Sequence, residues 1–220
     1  GHTEGGLDGQ TNSGSDDIYL IKLNSSGTNQ WTKLLGTSGQ DWGEKVATDS
    51  SDNIYVVGTT AGDLDGNTNA GERDIIVAKY YDNGTKDWTK QLGDSRTENA
   101  GDVHVDSSDN MYILGSTDRG EIDSNSSAGG FDPFVVKYNS SGTKQWSVQL
   151  GTDGADYGYG VTTDSSGNVY VTGYTGGALH GETNSGNRDS FIVKYNSSGS
   201  KQWTKLFGTS GDDHAESIFV

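Results

Sequence analysis

One stretch of sequence constrains this chain more than any other. The segment DSFIVKYNSSGSKQWTKLFG, Asp189 to Gly208, returns as DIYLIKLNSSGTNQWTKLLG from Asp17, DIIVAKYYDNGTKDWTKQLG from Asp74 and DPFVVKYNSSGTKQWSVQLG from Asp132. The tryptophans Trp31, Trp88, Trp146 and Trp203 fix the period, with spacings of 57, 58 and 57 residues. A period of this size requires a repeat architecture, in which each unit is one small supersecondary element that buries its apolar surface against its neighbours.

Each period divides into four short apolar runs separated by Gly, Asn, Asp and Ser clusters, the pattern of strands joined by tight turns. We label them A (near Glu44–Thr48), B (near Asn53–Val57), C (from Asp74) and D (near Trp88) in the first full period. The C strands are apolar at successive positions: in the first copy Ile18 and Leu20 point one way, and Tyr19, Ile21 and Leu23 the other. A half-exposed strand alternates with polar residues, so each sheet is expected to be covered on both faces. Antiparallel four-stranded sheets covered on both sides and repeating at this interval describe the blades of an all-β propeller, or a segment of one. Four sequence repeats make one domain over 1–220: a partial blade with strands C and D at 1–36, blades at 37–93, 94–151 and 152–208, and strand A of a partial blade at 209–220. Both ends fall inside a repeat, so the expectation is an excerpt of a longer array, with a four-bladed closure as the alternative.

Composition raises one objection to an ordered fold. A chain with 34 Gly, 30% hydrophobic residues and a net charge of -16 has the profile of disorder. The periodic placement of Trp, Tyr, Ile and Val answers it, because the apolar residues are concentrated in the strands. The same acidity, with a pI near 4.3, argues against nucleic-acid and anionic membrane partners. No apolar run reaches membrane-spanning length, and without cysteine there are no disulfides or thiolate metal sites.

The motif D-x-Φ-Φ-V-K-Y, then N-S-S-G-T/S-K-Q-W, L-G-T and D-S-S-G-N-V-Y-V-T-G, where Φ is apolar, reads most completely from Asp132 to Gly173. In these residues the chain resembles the bacterial β-propeller repeats called SBBP, and the resemblance runs through essentially all of it. It implies a propeller fold in a secreted or cell-surface bacterial protein. It implies no particular activity.

The turns divide by their variability. The A-to-B turns DSSDN, DSSDN and DSSGN and the C-to-D turns NSSG, DNG, NSSG and NSSG scarcely change. Turn geometry accounts for them, with Gly27, Gly84, Gly142 and Gly199 supplying a positive φ. The sequons at Asn24, Asn83, Asn139 and Asn196 are read as turn residues for the same reason.

The opposite end, with the B-to-C and D-to-A connections, changes from repeat to repeat and is the expected contact surface. Each D-to-A connection carries one acid, Asp41, Glu98, Asp156 or Asp213, followed by Trp42, Asn99, Tyr157 or His214. The acids are read as loop-capping carboxylates, with an acidic ring at the channel mouth as the alternative. The residues after them form the candidate recognition surface for a protein or a glycan, because exposed aromatics suit both. In the B-to-C loop DLDGNTN, the alternating oxygens of Asp63, Asp65, Asn67 and Asn69 resemble a calcium loop, with a solvated Asx turn as the competing reading.

The expected function is a non-catalytic scaffold or binding module. The alternatives are a calcium-assisted, lectin-like glycan binder and a polysaccharide-active enzyme using the acidic mouth. No cofactor other than calcium is implied; self-association or continuation into further repeats is the expected assembly. His2, His104, His180 and His214 have no ligand spacing, and no serine sits in a nucleophile elbow.

Overall fold

The computed structural model describes all 220 residues. Fifteen strands are formed: β1 (His2–Thr3), β2 (Asp17–Leu23), β3 (Asn29–Leu35), β4 (Asp41–Thr48), β5 (Ile54–Thr60), β6 (Asp74–Tyr80), β7 (Lys86–Leu92), β8 (Glu98–Val105), β9 (Met111–Asp118), β10 (Phe131–Tyr138), β11 (Lys144–Gln149), β12 (Tyr157–Thr163), β13 (Val169–Thr175), β14 (Asp189–Tyr195) and β15 (Lys201–Phe207). They make three antiparallel four-stranded sheets, β4 to β7, β8 to β11 and β12 to β15, and one three-stranded sheet, β1 to β3, each ordered as in the sequence. This is an all-β fold of propeller blades. No helix is long and apolar enough to cross a membrane.

The turns explain the sheets. In the C-to-D hairpins Gly27, Gly84, Gly142 and Gly199 take φ of 79°, 81°, 73° and 82°, while the Asn24 side chain accepts the amides of Ser26 (3.0 Å) and Thr28 (2.9 Å). In the A-to-B turn Asp49 Oδ1 accepts the amides of Ser51 (3.0 Å) and Asn53 (2.9 Å). Antiparallel succession places the A-to-B and C-to-D turns at one end of every sheet and the other connections at the opposite end.

The chain forms two compact units, Gly1–Asn99 and Ala100–Val220. In the first, Ile18, Leu35, Val56, Leu64, Ile76, Ala78 and Tyr80 form the core, and Trp31 Nε1 donates to the Asp82 carbonyl oxygen (3.0 Å). In the second, Tyr112, Leu114, Val135, Val161, Val171, Phe191 and Val193 do so, and Trp146 Nε1 donates to the Ser197 carbonyl oxygen (3.1 Å). In each unit, therefore, one Trp ties a D strand to the next sheet's C-to-D turn.

Two expectations are corrected. The first sheet is not a C-D pair alone: β1 holds the B position, with His2 opposite Ile18 and Thr3 opposite Asp17. Residues 209–220 form no strand; their one ladder contact is a bridge between Asp212 and Arg188. A strand A is held by the B strand of its own sheet, and residues 209–220 have no such strand beside them.

Candidate functional site

The candidate surface lies at the B-to-C and D-to-A end, and three of its four acids do not face solvent. Asp41, Glu98 and Asp156 are completely buried. Asp41 Oδ2 accepts the Thr37 amide (2.7 Å) and hydroxyl (3.0 Å). Asp156 Oδ2 accepts the same groups of Thr152 at 2.7 and 2.9 Å, Asp213 Oδ2 those of Thr209 at 2.7 and 3.0 Å, and Glu98 Oε2 the Asp94 amide (3.2 Å). Each acid closes its own blade-to-blade turn, so Asp41, Glu98 and Asp156 are removed from the contact surface proposed for them. A carboxylate is needed there because the turn presents an amide and a hydroxyl with no ladder partner.

A second set of acids backs the first. Asp17, Asp74, Asp132 and Asp189 open the C strands and are buried. Asp132 Oδ2 accepts the Ala128 amide (2.6 Å), the Ser127 hydroxyl (2.9 Å) and Gln149 Nε2 (3.2 Å). Burial pushes the Asp41 and Asp156 carboxyls above the usual range; their hydrogen bonds oppose this, and the negative charges of Asp17 and Asp132 add to it.

The variable residues after the acids are half-buried, except His214, which is exposed. In the first unit the Arg73 guanidinium lies 4.3 Å above the Trp42 ring, and Trp42 Nε1 donates to Asp16 Oδ2 at 3.4 Å. In the second unit Tyr157 stacks on Phe131 at 4.7 Å and lies 5.4 Å from Tyr174. Tyr159 lies 5.8 Å from Tyr174, His214 stacks on Tyr174 at 4.4 Å, and Arg188 caps the same ring at 4.7 Å. Burial first, with Tyr159 beside it, pushes the Tyr174 phenol up to about 12. Tyr157 and His214 thus belong to one aromatic cluster. Asn99 is half-buried in the other unit. Sequence reasoning missed Phe131, Tyr159, Tyr174 and Arg188; the signal for the last of these was that Arg73 and Arg188 stand in the same place before a C strand.

The four candidate calcium ligands are engaged separately. Asp65 pairs with Lys86 (2.5 Å) and accepts the Thr89 hydroxyl (2.5 Å). Asp63 Oδ1 accepts the Asn69 amide (2.8 Å), Asn67 Nδ2 donates to the Leu64 carbonyl oxygen (2.8 Å), and Asn69 Oδ1 accepts the Gly71 amide (3.0 Å). Asp65 has φ of 50°, as Asp123 and His180 have 55° and 54° at the matching places. Asp123 pairs with Lys144, and His180 Nδ1 lies 2.8 Å from the Thr204 hydroxyl. A histidine fills the same role, so this position pins the loop onto strand D; a cation there would have to displace Lys86. Nowhere do three His, Asp or Glu side chains form a group that could hold a metal.

The SBBP β-propeller repeat model matches residues 30–65 and 145–179. The chain is 28% identical to the uncharacterized WD repeat-containing protein L264 of Acanthamoeba polyphaga mimivirus, over 84% of this chain and 17% of that protein. It is 24% identical to the regulatory protein FlaEY of Caulobacter vibrioides, over 96% of this chain and 25% of that one. The chain thus spans a quarter or less of the length of these relatives. A crystal structure of a protein of unknown function from Bacteroides caccae aligns with 87% of this chain and 78% of its own, at 12% identity and a TM-score of 0.33. Both matched segments run from a Trp-bearing D strand through A and B into the loop that follows, and the pattern that matches the SBBP β-propeller repeat there recurs between and after them.

Proposed function

We propose that this chain is a non-catalytic binding module that meets a protein partner through the B-to-C and D-to-A end of its sheets. One observation carries the reading: Phe131, Tyr157, Tyr159, Tyr174, Arg188 and His214 gather there from different connections into a single partly exposed cluster. Tyrosine and arginine held in place by stacking lose little freedom on association, which is why such residues dominate binding energy at interfaces. The net charge of -16 favours a neutral or basic partner surface. The opposite end, built from near-constant turns, offers no comparable variation. A WD repeat-containing relative and a regulatory one are in keeping with a binding role.

The test places a photo-crosslinking residue at Tyr159 and, separately, at Ser140 in the C-to-D turn at the far end of its sheet. Capture of the same protein from Tyr159 alone, abolished by combining Tyr157→Ala with Arg188→Ala, supports the reading. Equal capture from both ends, or capture that survives the double variant, removes it. A glycan array probed with the same variants reads the carbohydrate alternative.

A further inference from the structure

The residue just before each C strand changes in kind from copy to copy: Asp16, Arg73, Phe131 and Arg188. Each of the four meets an aromatic ring. Asp16 Oδ2 accepts Trp42 Nε1 at 3.4 Å, and Arg73 lies over the same indole at 4.3 Å. In the second unit Phe131 stacks on Tyr157 at 4.7 Å, and Arg188 lies over Tyr174 at 4.7 Å. A phenyl ring and a guanidinium thus do the same packing there, so packing alone does not call for the charge of Arg188.

No carboxylate of the chain pairs with that charge. Lysines make all six ion pairs, and among 31 Asp and Glu residues none pairs with Arg188 or Arg73. Both arginines are half-buried. A guanidinium whose flat face lies on a ring keeps its in-plane N–H groups for another acceptor, and the stacking holds that fork in place before anything binds. Each arginine stands with its ring in one four-stranded sheet: Arg188 precedes β14 and Tyr174 lies on β13, while Arg73 precedes β6 and Trp42 lies on β4.

We propose that Arg188 receives a carboxylate of the partner protein, an aspartate or glutamate side chain carried on a surface otherwise neutral or basic. This rests on the binding-module reading and names the chemistry of its partner. A carboxylate offers two parallel acceptors that match the guanidinium fork, and charge-assisted pairs of this kind are the stronger ones. The net charge of -16 disfavours a broadly acidic surface, but salt screens that repulsion beyond about 8 Å at physiological ionic strength. One carboxylate among neutral or basic residues satisfies both the local fork and the wider field. Tyr157 and Tyr159, at 5.4 and 5.8 Å from Tyr174, suit an aromatic or aliphatic side chain beside that acid.

The probe is a phage-displayed library of random peptides, depleted on the chain carrying Tyr157→Ala with Tyr159→Ala and then selected on the unaltered chain. Enriched peptides are labelled with fluorescein and titrated by anisotropy. They are expected to share one Asp or Glu next to an aromatic or aliphatic residue. Arg188→Phe copies the residue at the matching place in the preceding sheet, so it keeps the stacking and removes the charge; circular dichroism checks its fold. It is expected to weaken these peptides at least tenfold. Changing a peptide's acid to the amide is expected to cost the unaltered chain a similar factor and the Arg188→Phe chain nothing. Enriched peptides without an acid, or an acid-to-amide cost that is equal in the two chains, overturn the inference and leave the binding-module reading standing. A selection in which no peptide survives the depletion removes that reading and the inference with it.

Discussion

The first C strand, DIYLIKL, and the last, DSFIVKY, share a motif and finish in different surroundings. In the last, Phe191, Val193 and Tyr195 are buried; in the first, Ile21 and Leu23 stand in solvent. The difference lies in what flanks them: β14 has a strand on each side along its full length, while β2 has β3 on one side and two residues of β1 on the other. In a repeat array, then, the local sequence decides that a strand forms and its neighbours decide whether it becomes core, as nearest-neighbour energetics require.

Truncation should expose this contrast most strongly. Phe191→Ala removes a fully buried ring from the second unit's core and is expected to lower stability by about 3–5 kcal/mol. Leu23→Ala, at a half-exposed position, is expected to change it by less than about 1 kcal/mol. Chemical denaturation monitored by Trp fluorescence measures both. Comparable losses would mean that the β2 edge is covered in solution, and would break the contrast.

Those two positions also mark how far the sequence could be read. The period, the strands and the glycine hairpins were legible because each rests on local rules: alternation, turn chemistry and spacing. What depends on a strand from elsewhere was not. His2 and Thr3 complete a strand B too short to register as a pattern, and residues 209–220 carry a strand A sequence without a strand B to hold it. At the candidate surface the acids were legible as caps because each D-to-A connection carries one, but the aromatic cluster was not, because Phe131, Tyr157, Tyr174 and His214 meet only after separate connections fold together. The loop containing Asp65 drew the calcium reading through its alternating oxygens. Its constant feature across repeats is the apolar residue one place earlier, Leu64, Ile122 or Leu179, which is buried and fastens the loop.

The acids that open the C strands give the next contrast. Asp132 serves an amide, a hydroxyl and a side-chain amide, whereas Asp17 is bonded at Oδ2 to the Ser13 amide. Asp132→Ala leaves more buried donors unmet and is expected to cost about 3 kcal/mol, against about 1 kcal/mol for Asp17→Ala. The hairpin glycines separate less. An alanine Cβ at Gly199 would lie 2.9 Å from Trp146 Cδ2, while at Gly27 nothing lies within 4 Å, and both positions have positive φ. Gly199→Ala is expected to lose about 2 kcal/mol and Gly27→Ala about 1 kcal/mol, the strain of the left-handed region alone. Thermal unfolding of the pair separates crowding from backbone strain.

The smallest effect is a matter of charge, and its sign differs between two turns that look alike. Burial raises the carboxyls of Asp41 and Asp156 above the ordinary value. A raised carboxyl favours its protonated form in the fold, so its contribution is full at pH below the ordinary carboxylate range and is lost as pH rises through that range to the folded value. At neutral pH both turns therefore hold a charge that the fold disfavours. Asp41 Oδ1 accepts no backbone amide and has the Thr60 hydroxyl beside it; an amide at Asp41 removes the repulsion from Asp17 and keeps an oxygen for Thr37. Asp156 Oδ1 already accepts the Gly176 amide at 3.2 Å, which an amide nitrogen in that place would oppose. Asp41→Asn is accordingly expected to stabilise the chain by about 1 kcal/mol at pH 7, with the gain shrinking towards pH 4, and Asp156→Asn to give no gain at either pH. Denaturant midpoints at the two pH values decide it: an equal gain in both variants would mean that the turns differ only in name, and no gain in either would mean that the Thr60 hydroxyl already answers the Asp41 carboxylate.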